Sequence, residues 1–138
     1  MISVLDTSAF SAAMRQEVDL VRFLQARRPG DVATVPPVVA EVEFGIQRVD
    51  ASSRKRFLLE AERDRLLKVV KVLPWTMQSS VLFGTIKAGL ERGGNLIDDL
   101  DIAIAAIAMS HGAQVLTANL VHFRRVAGVT CSHWSDAS

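Results

Sequence analysis

Residues 1–10 read MISVLDTSAF, a short apolar run that stops at Asp6, Thr7 and Ser8. Residues 2–5 suit a buried strand, and the three polar residues suit the start of a helix. Their side-chain oxygens can satisfy the free N–H groups of a first helical turn. A strand that turns straight into a helix is the repeating unit of an α/β sheet. In such sheets ligands bind in the crevice at the carboxyl ends of the strands, and a carboxylate there is well placed to hold a metal.

The same alternation continues outward. Residues 8–14 and 18–26 read as helices, closed by the Pro29-Gly30 turn, and 32–35 as a second strand. Pro36 and Pro37 suit the first turn of a helix that runs through VVAEVEFGIQRV. A long helix follows over 52–67, then a β-branched strand over 69–73 ended by Pro74. Helices over 77–92 and 98–110 stop at Gly93-Gly94 and His111-Gly112. Strands over 114–117 and 129–131 complete the pattern. Short apolar strands separated by helices predict an α/β fold with a central, mainly parallel sheet between helices on both faces.

The 138 residues form one expected domain, 1–138, long enough to bury a core. At 49% hydrophobic and 22% charged the chain reads as globular. A single cysteine, Cys131, excludes an intrachain disulfide and argues against a cysteine zinc site, which fits a reducing cytoplasm. The longest apolar run, from Ile102 to Met109, is eight residues and too short to span a bilayer. Asp6 interrupts the N-terminal apolar run, so no secretion signal is expected. The net charge of +1 favours no partner, although 54–71 carries seven basic residues against three acidic ones. Such a stretch can neutralise phosphates or simply form a solvated helix face.

The carboxylates are more telling. The segment DDLDIAIAAIAMSHG (98–112) is apolar on nearly every side after Asp101, so it should be buried on nearly every side. Asp98 suits an N-cap, and acids suit the positive end of a helix. Asp101 fits that account poorly, because it sits where the helix turns wholly apolar and an unpaired carboxylate is costly to desolvate. Asp98 and Asp101 share a face. Glu41 and Glu43 lie two apart among apolar residues, so they project to nearly opposite sides, and periodicity alone does not choose between them. Gly45 in mid-helix suggests that something packs or binds closely there. Thr117 and Asn119 end a late strand, either as caps or as further polar groups on the rim that carries Asp6. A cluster of carboxylates without His or Cys suits Mg²⁺ or Mn²⁺ rather than zinc. Such ions activate water for phosphodiester cleavage.

These pieces, namely LDTSAF, AEVEFGIQR, IDDLDIAIAAIAMSHG, VLTANLVHFRRVAGV and a late HW, resemble in order and spacing the PIN-domain family. The likeness is closest to its VapC-type branch, the toxin ribonucleases of bacterial toxin–antitoxin pairs. The resemblance places the family's acids on Asp6, Glu41 and Asp101 and its fourth polar position on Asn119. Asp98 matches a position that is often acidic, and Thr7, Ser8 and Thr117 would orient the carboxylates. The chain departs from the family at His122, where an acid often precedes the Phe.

The resemblance implies a three-layer α/β/α fold and an Mg²⁺- or Mn²⁺-dependent endoribonuclease acting on structured RNA such as tRNA or rRNA. It also implies a homodimer, and a VapB-like antitoxin that blocks the acidic site in a heterotetramer or larger complex. Arg48, Arg92 and the basic 54–71 stretch would position the RNA backbone. Phosphatase chemistry that needs a second Asp two residues after Asp6 fails at Ser8, and no phosphate-binding G-x-x-x-x-G-K-[ST] loop exists. The competing reading is a scaffold that keeps the fold and binds RNA or a protein partner without cutting; His122 and the absence of a fourth acid keep it open, and the three intact acids weigh against it.

Overall fold

The computed structural model describes residues 1–136. Its first strand, β1 (Ser3–Leu5), is buried at every position, as the continuous apolar run requires of a parallel strand covered on both faces. Helix α1 (Thr7–Met14) follows at once, with Asp6 as its N-cap. Then come α2 (Val18–Gln25), β2 (Val32–Thr34), α3 (Pro36–Gln47), α4 (Arg54–Leu67) and β3 (Lys71–Val72). The chain continues with α5 (Met77–Arg92), α6 (Asp99–Ser110), β4 (Gln114–Leu116), α7 (Leu120–Phe123) and β5 (Cys131–Ser132).

Among the described residues the sheet has five strands in the order β3-β2-β1-β4-β5, and every pairing is parallel. Crossovers between parallel strands are right-handed. The chain moves one way along the sheet through β1, β2 and β3, then returns past β1 to β4. Helices α1–α4 therefore cover one face and α5–α6 the other. The direction changes between β1 and β4, and this is the crevice where open α/β sheets bind ligands. In register, Leu5 pairs with Leu116, so the next residues, Asp6 and Thr117, face each other across that crevice.

Local chemistry explains the element ends. Pro36 and Pro37 open α3, where their missing or fixed groups cost nothing. Thr76 and Ser79 form a reciprocal capping box for α5. Gly94 (φ 68°) and Gly112 (φ 66°) supply the left-handed turns after α5 and α6. Helix α6 is buried on every side from Ile102 to Ala108, which makes it the centre of one helix layer.

Two strands differ from expectation. β3 is cut to Lys71–Val72 at a sheet edge, with Val69 and Val72 facing out. β5 starts later than expected, at Cys131, because Gly128 (φ 87°) and a Val129 N–H to Val126 carbonyl bond fold the preceding chain into a turn. Within the chain nothing packs against Gly45: a Cβ there would meet nothing within 4 Å. Gly45 instead lines an open groove of about 320 Å³ between α1, α3 and α4.

Candidate active site at the sheet crevice

Asp6 is only 2% exposed, yet it is surrounded by donors. Its Oδ1 accepts from the Ser8 hydroxyl at 2.6 Å and the Ala9 N–H at 2.9 Å. Its Oδ2 accepts from the Thr117 hydroxyl at 2.6 Å. Burial pushes the carboxyl above its ordinary range, and these hydrogen bonds pull against that rise. Ser8 and Thr117 also tie the crevice together: Ser8 Oγ accepts the Ala118 N–H, and Thr117 Oγ1 accepts the Asn119 N–H at 2.8 Å. Asn119 is exposed and begins α7 on the same rim.

Glu41 and Glu43 separate as their spacing requires. Thr7 Oγ1 donates to Glu41 Oε1 at 2.5 Å, which holds Glu41 beside the start of α1. Glu43 turns to the other side, where it receives Gln47 at 2.7 Å and Arg63 at 2.5 Å. Gln47 first, then Arg63, lowers its carboxyl pKa. Glu43 is thus a structural partner of α4.

Asp98 caps α6 by accepting the Leu100 N–H at 2.8 Å. Asp101 lies one turn further on and is half-buried. Its pKa is raised, first by desolvation and then by the charges of Asp6, Asp98 and Glu41. Asp98 belongs to the same helix, whereas Asp6 and Glu41 act on Asp101 from elements distant in sequence. His122, on α7, opposes the rise: its Nδ1 stands 3.5 Å from Asp101 Oδ2. The arginines and lysines of the described ion pairs go instead to Glu17, Asp19, Glu43, Glu60, Glu62, Asp64 and Asp99. The rim therefore carries concentrated negative charge, which attracts cations.

Among the described residues no three His, Cys, Asp or Glu side chains are gathered closely enough to grip an ion as they stand. Each acid already has a partner: Asp6 has Ser8 and Thr117, Glu41 has Thr7, and Asp101 has His122. The donor set nevertheless fits a hard divalent cation, since it offers carboxylate oxygens with a charge excess that such an ion would relieve.

His122 is the group that a carboxylate-only reading leaves out. Its signal is positional: three residues after Asn119, it returns to the same side of the α7 turn. The basic stretch also looks different in three dimensions. Arg56, Arg63 and Arg65 are engaged by Gln47, Glu43, Glu60, Glu62 and Asp64. Arg54, Lys55, Lys68 and Lys71 remain exposed, as do Arg48 and Arg92. Trp134 is packed, with its indole N–H on Glu17 at 2.9 Å, so it offers no face to a base.

The profile of the PIN domain matches residues 3–129. Ribonuclease VapC2 of Rickettsia felis is 23% identical over 97% of this chain and 98% of its own length. Ribonuclease VapC2 of Haemophilus influenzae is 29% identical over 86% of this chain and 95% of its own. The tRNA(fMet)-specific endonuclease VapC of Salmonella typhimurium is 32% identical over 68% of both chains. Among solved structures, the Rickettsia felis VapBC2 complex bound to a promoter DNA fragment superposes with a TM-score of 0.87 at 22% identity. That match covers 97% of this chain and 99% of the other, and at this identity it is a likeness of fold. No helix among the described residues is long and apolar enough to cross a membrane. The chain belongs to the PIN-domain family and, within it, to the VapC-type ribonucleases of toxin–antitoxin pairs.

Proposed function

We propose that this chain is a metal-dependent endoribonuclease that hydrolyses phosphodiester bonds in structured RNA, a tRNA or an rRNA, in the cytoplasm. The observation that carries the reading is the buried Asp6 carboxylate at the crevice between β1 and β4, held by Thr117, with Thr7 beside it bonded to Glu41. Asp6, Glu41 and Asp101 would hold Mg²⁺ or Mn²⁺, and Asn119 would complete the set directly or through water. Such an ion supplies an activated water and offsets the charge that develops on the phosphate.

The chain's own residues prepare that chemistry. Ser8, Ala9 and Thr117 fix the Asp6 carboxylate in a buried position, and Thr7 fixes that of Glu41. The exposed Arg48 and Arg92, with Arg54, Lys55, Lys68 and Lys71, would contact backbone phosphates without reading bases.

A VapB-like antitoxin is the proposed protein partner, in a heterotetramer or larger assembly built on a homodimer of this chain. Its entry would be the groove lined by Thr7, Met14, Glu41, Gly45, Ile46 and Leu59, whose apolar wall ends at an acid of the site. The name VapBC on solved structures of this fold supports an antitoxin as the partner.

Cleavage of total RNA by antitoxin-free protein, with Mg²⁺, Mn²⁺ or EDTA, tests the reading beside Asp6→Ala and Asp101→Ala. Metal-dependent fragments that vanish in both folded variants support it. Intact RNA across a broad panel would leave the non-cutting scaffold, which His122 and the lack of a ready metal cage favour, as the better account.

A further inference from the structure

Four basic residues gather at the end of the sheet opposite the crevice. The crevice lies at the carboxyl ends of β1 and β4, and every pairing is parallel, so the amino ends of β2 and β3 lie at the other end. Arg27 and Arg28 lead into β2, while Lys68 precedes β3 and Lys71 opens it. The two strands are neighbours, with Ala33 opposite Lys71. Arg27, Arg28, Val69 and Val70 line one notch of about 130 Å³, which joins the two segments. The bond from Arg65 to the Ala13 carbonyl likewise puts the last turn of α4 at the far end of α1.

Single charges here have ordinary explanations. A cation suits the carboxyl end of α2 or α4, and a lysine protects an exposed strand edge. Neither accounts for four cations in residues 26–31 and 68–71, whose one acid is Asp31. Arg28, Lys68 and Lys71 are exposed, and no described ion pair takes them. Arg27 is held over the Phe23 ring at 4.2 Å. Arg56, Arg63 and Arg65 of α4 are by contrast taken up by acids. Clustered cations without counter-charges attract a polyanion.

We infer that Arg27, Arg28, Lys68 and Lys71 form a second, distal site for a phosphodiester backbone, which anchors a folded RNA far from the bond presented to the crevice. The inference rests on the RNA reading proposed above. A domain of this length is about 35 Å across, so an RNA held at both places must be large and folded. A short single strand at the crevice does not reach the notch. The patch therefore selects for folded RNA by size and charge and reads no bases.

The test is fluorescence anisotropy of the full chain with labelled bulk tRNA, a short labelled single-stranded RNA and a labelled DNA duplex, all in EDTA so that no cleavage intervenes. Wild type is compared with the distal pair Arg28→Gln/Lys71→Gln. A control pair, Arg22→Gln/Lys87→Gln, changes net charge equally at cations that Asp19 and Asp99 already engage. The distal pair should bind tRNA roughly tenfold more weakly, with a salt slope reduced by about one for each lost contact. The short strand should bind it as it binds wild type, and the control pair should keep most of its tRNA affinity. Equal losses in the distal and control pairs would overturn the site, because net charge alone would then explain binding. An equal loss for the short strand would overturn it too, by placing the patch beside the crevice. DNA bound more tightly than tRNA through the same residues would overturn the assignment to RNA. A distal pair that binds tRNA as wild type does would end this inference and leave the RNA reading standing, whereas wild type that binds no tRNA would sink both.

Discussion

Thr117 Oγ1 donates to Asp6 Oδ2 at 2.6 Å and closes the crevice between two strands whose ends lie 111 residues apart in sequence. The same oxygen accepts the Asn119 N–H, so one hydroxyl sets both the first acid and the start of α7. Thr117→Val keeps the shape and removes both bonds. A buried carboxylate oxygen left without a donor costs about 1–3 kcal/mol, and urea unfolding at neutral pH should show a loss of that order. Thr117→Ser should recover most of it. The Thr117 bond favours the charged form of Asp6, so the deficit of Thr117→Val should shrink as acid protonates Asp6. A deficit that stays constant with pH would mean that the lost packing, not the hydrogen bond, is responsible.

Asp101 makes the folded chain less stable than it need be. Burial, then the charges of Asp6, Asp98 and Glu41, raise its pKa above the unfolded value. The folded state therefore binds this proton more readily than the unfolded one. Stability from this group is full at low pH and falls as pH rises from the ordinary carboxylate range through the raised folded pKa. Asp101→Asn removes the penalty. Without added metal it should exceed wild type at pH 7 by on the order of 1 kcal/mol, with the gain fading below the ordinary carboxylate range. Cleavage should be lost in the same variant. Calorimetry across pH tests the first claim, and a variant less stable than wild type at pH 7 would refute it.

Much of this was legible in the chain, for reasons that particular residues make plain. Asp6 marks the end of β1 and the start of α1 because one carboxylate both stops an apolar run and caps a helix. Asp101 stands out because a carboxylate is anomalous where a helix becomes wholly apolar. The choice between Glu41 and Glu43 was not legible from spacing. It is made by what lies opposite, Thr7 in one case and Arg63 in the other, and neither is a neighbour in sequence. The basic stretch misleads for the same reason: Arg56, Arg63 and Arg65 are spent on acids one turn away or on α3. The edge strands were the least legible part. Their length depends on a few hydrogen bonds at the sheet border, not on apolar pattern.

The two glutamates of α3 give a matched pair. Glu43 is partly exposed and bonded to Arg63 and Gln47. Its replacement by Gln should cost less than about 1 kcal/mol, because solvent screens such pairs, and should leave RNA cleavage unchanged. Glu41→Gln keeps the size of the side chain and an acceptor for Thr7 but removes the charge. It should fold normally and lose metal-dependent cleavage. Parallel unfolding and cleavage assays of the two variants decide the matter. Equal loss of activity in both would show that α3 matters for its packing rather than for Glu41.

Metal should reverse the ranking of wild type and Asp101→Asn. An ion that binds only the folded state adds stability by mass action, about 2.7 kcal/mol at a hundred times its dissociation constant. Wild type should gain that increment with saturating Mn²⁺ or Mg²⁺, because the ion offsets the charges of Asp6, Asp98 and Glu41 that bear on Asp101. Asp101→Asn has shed part of the repulsion and with it part of the attraction, so its gain should be small. The less stable protein without metal should thus become the more stable one with it. Thermal melts of both proteins with EDTA and across a metal titration measure the crossing. Parallel curves, with the two melting points rising together, would mean that the stabilising ions bind elsewhere on the chain.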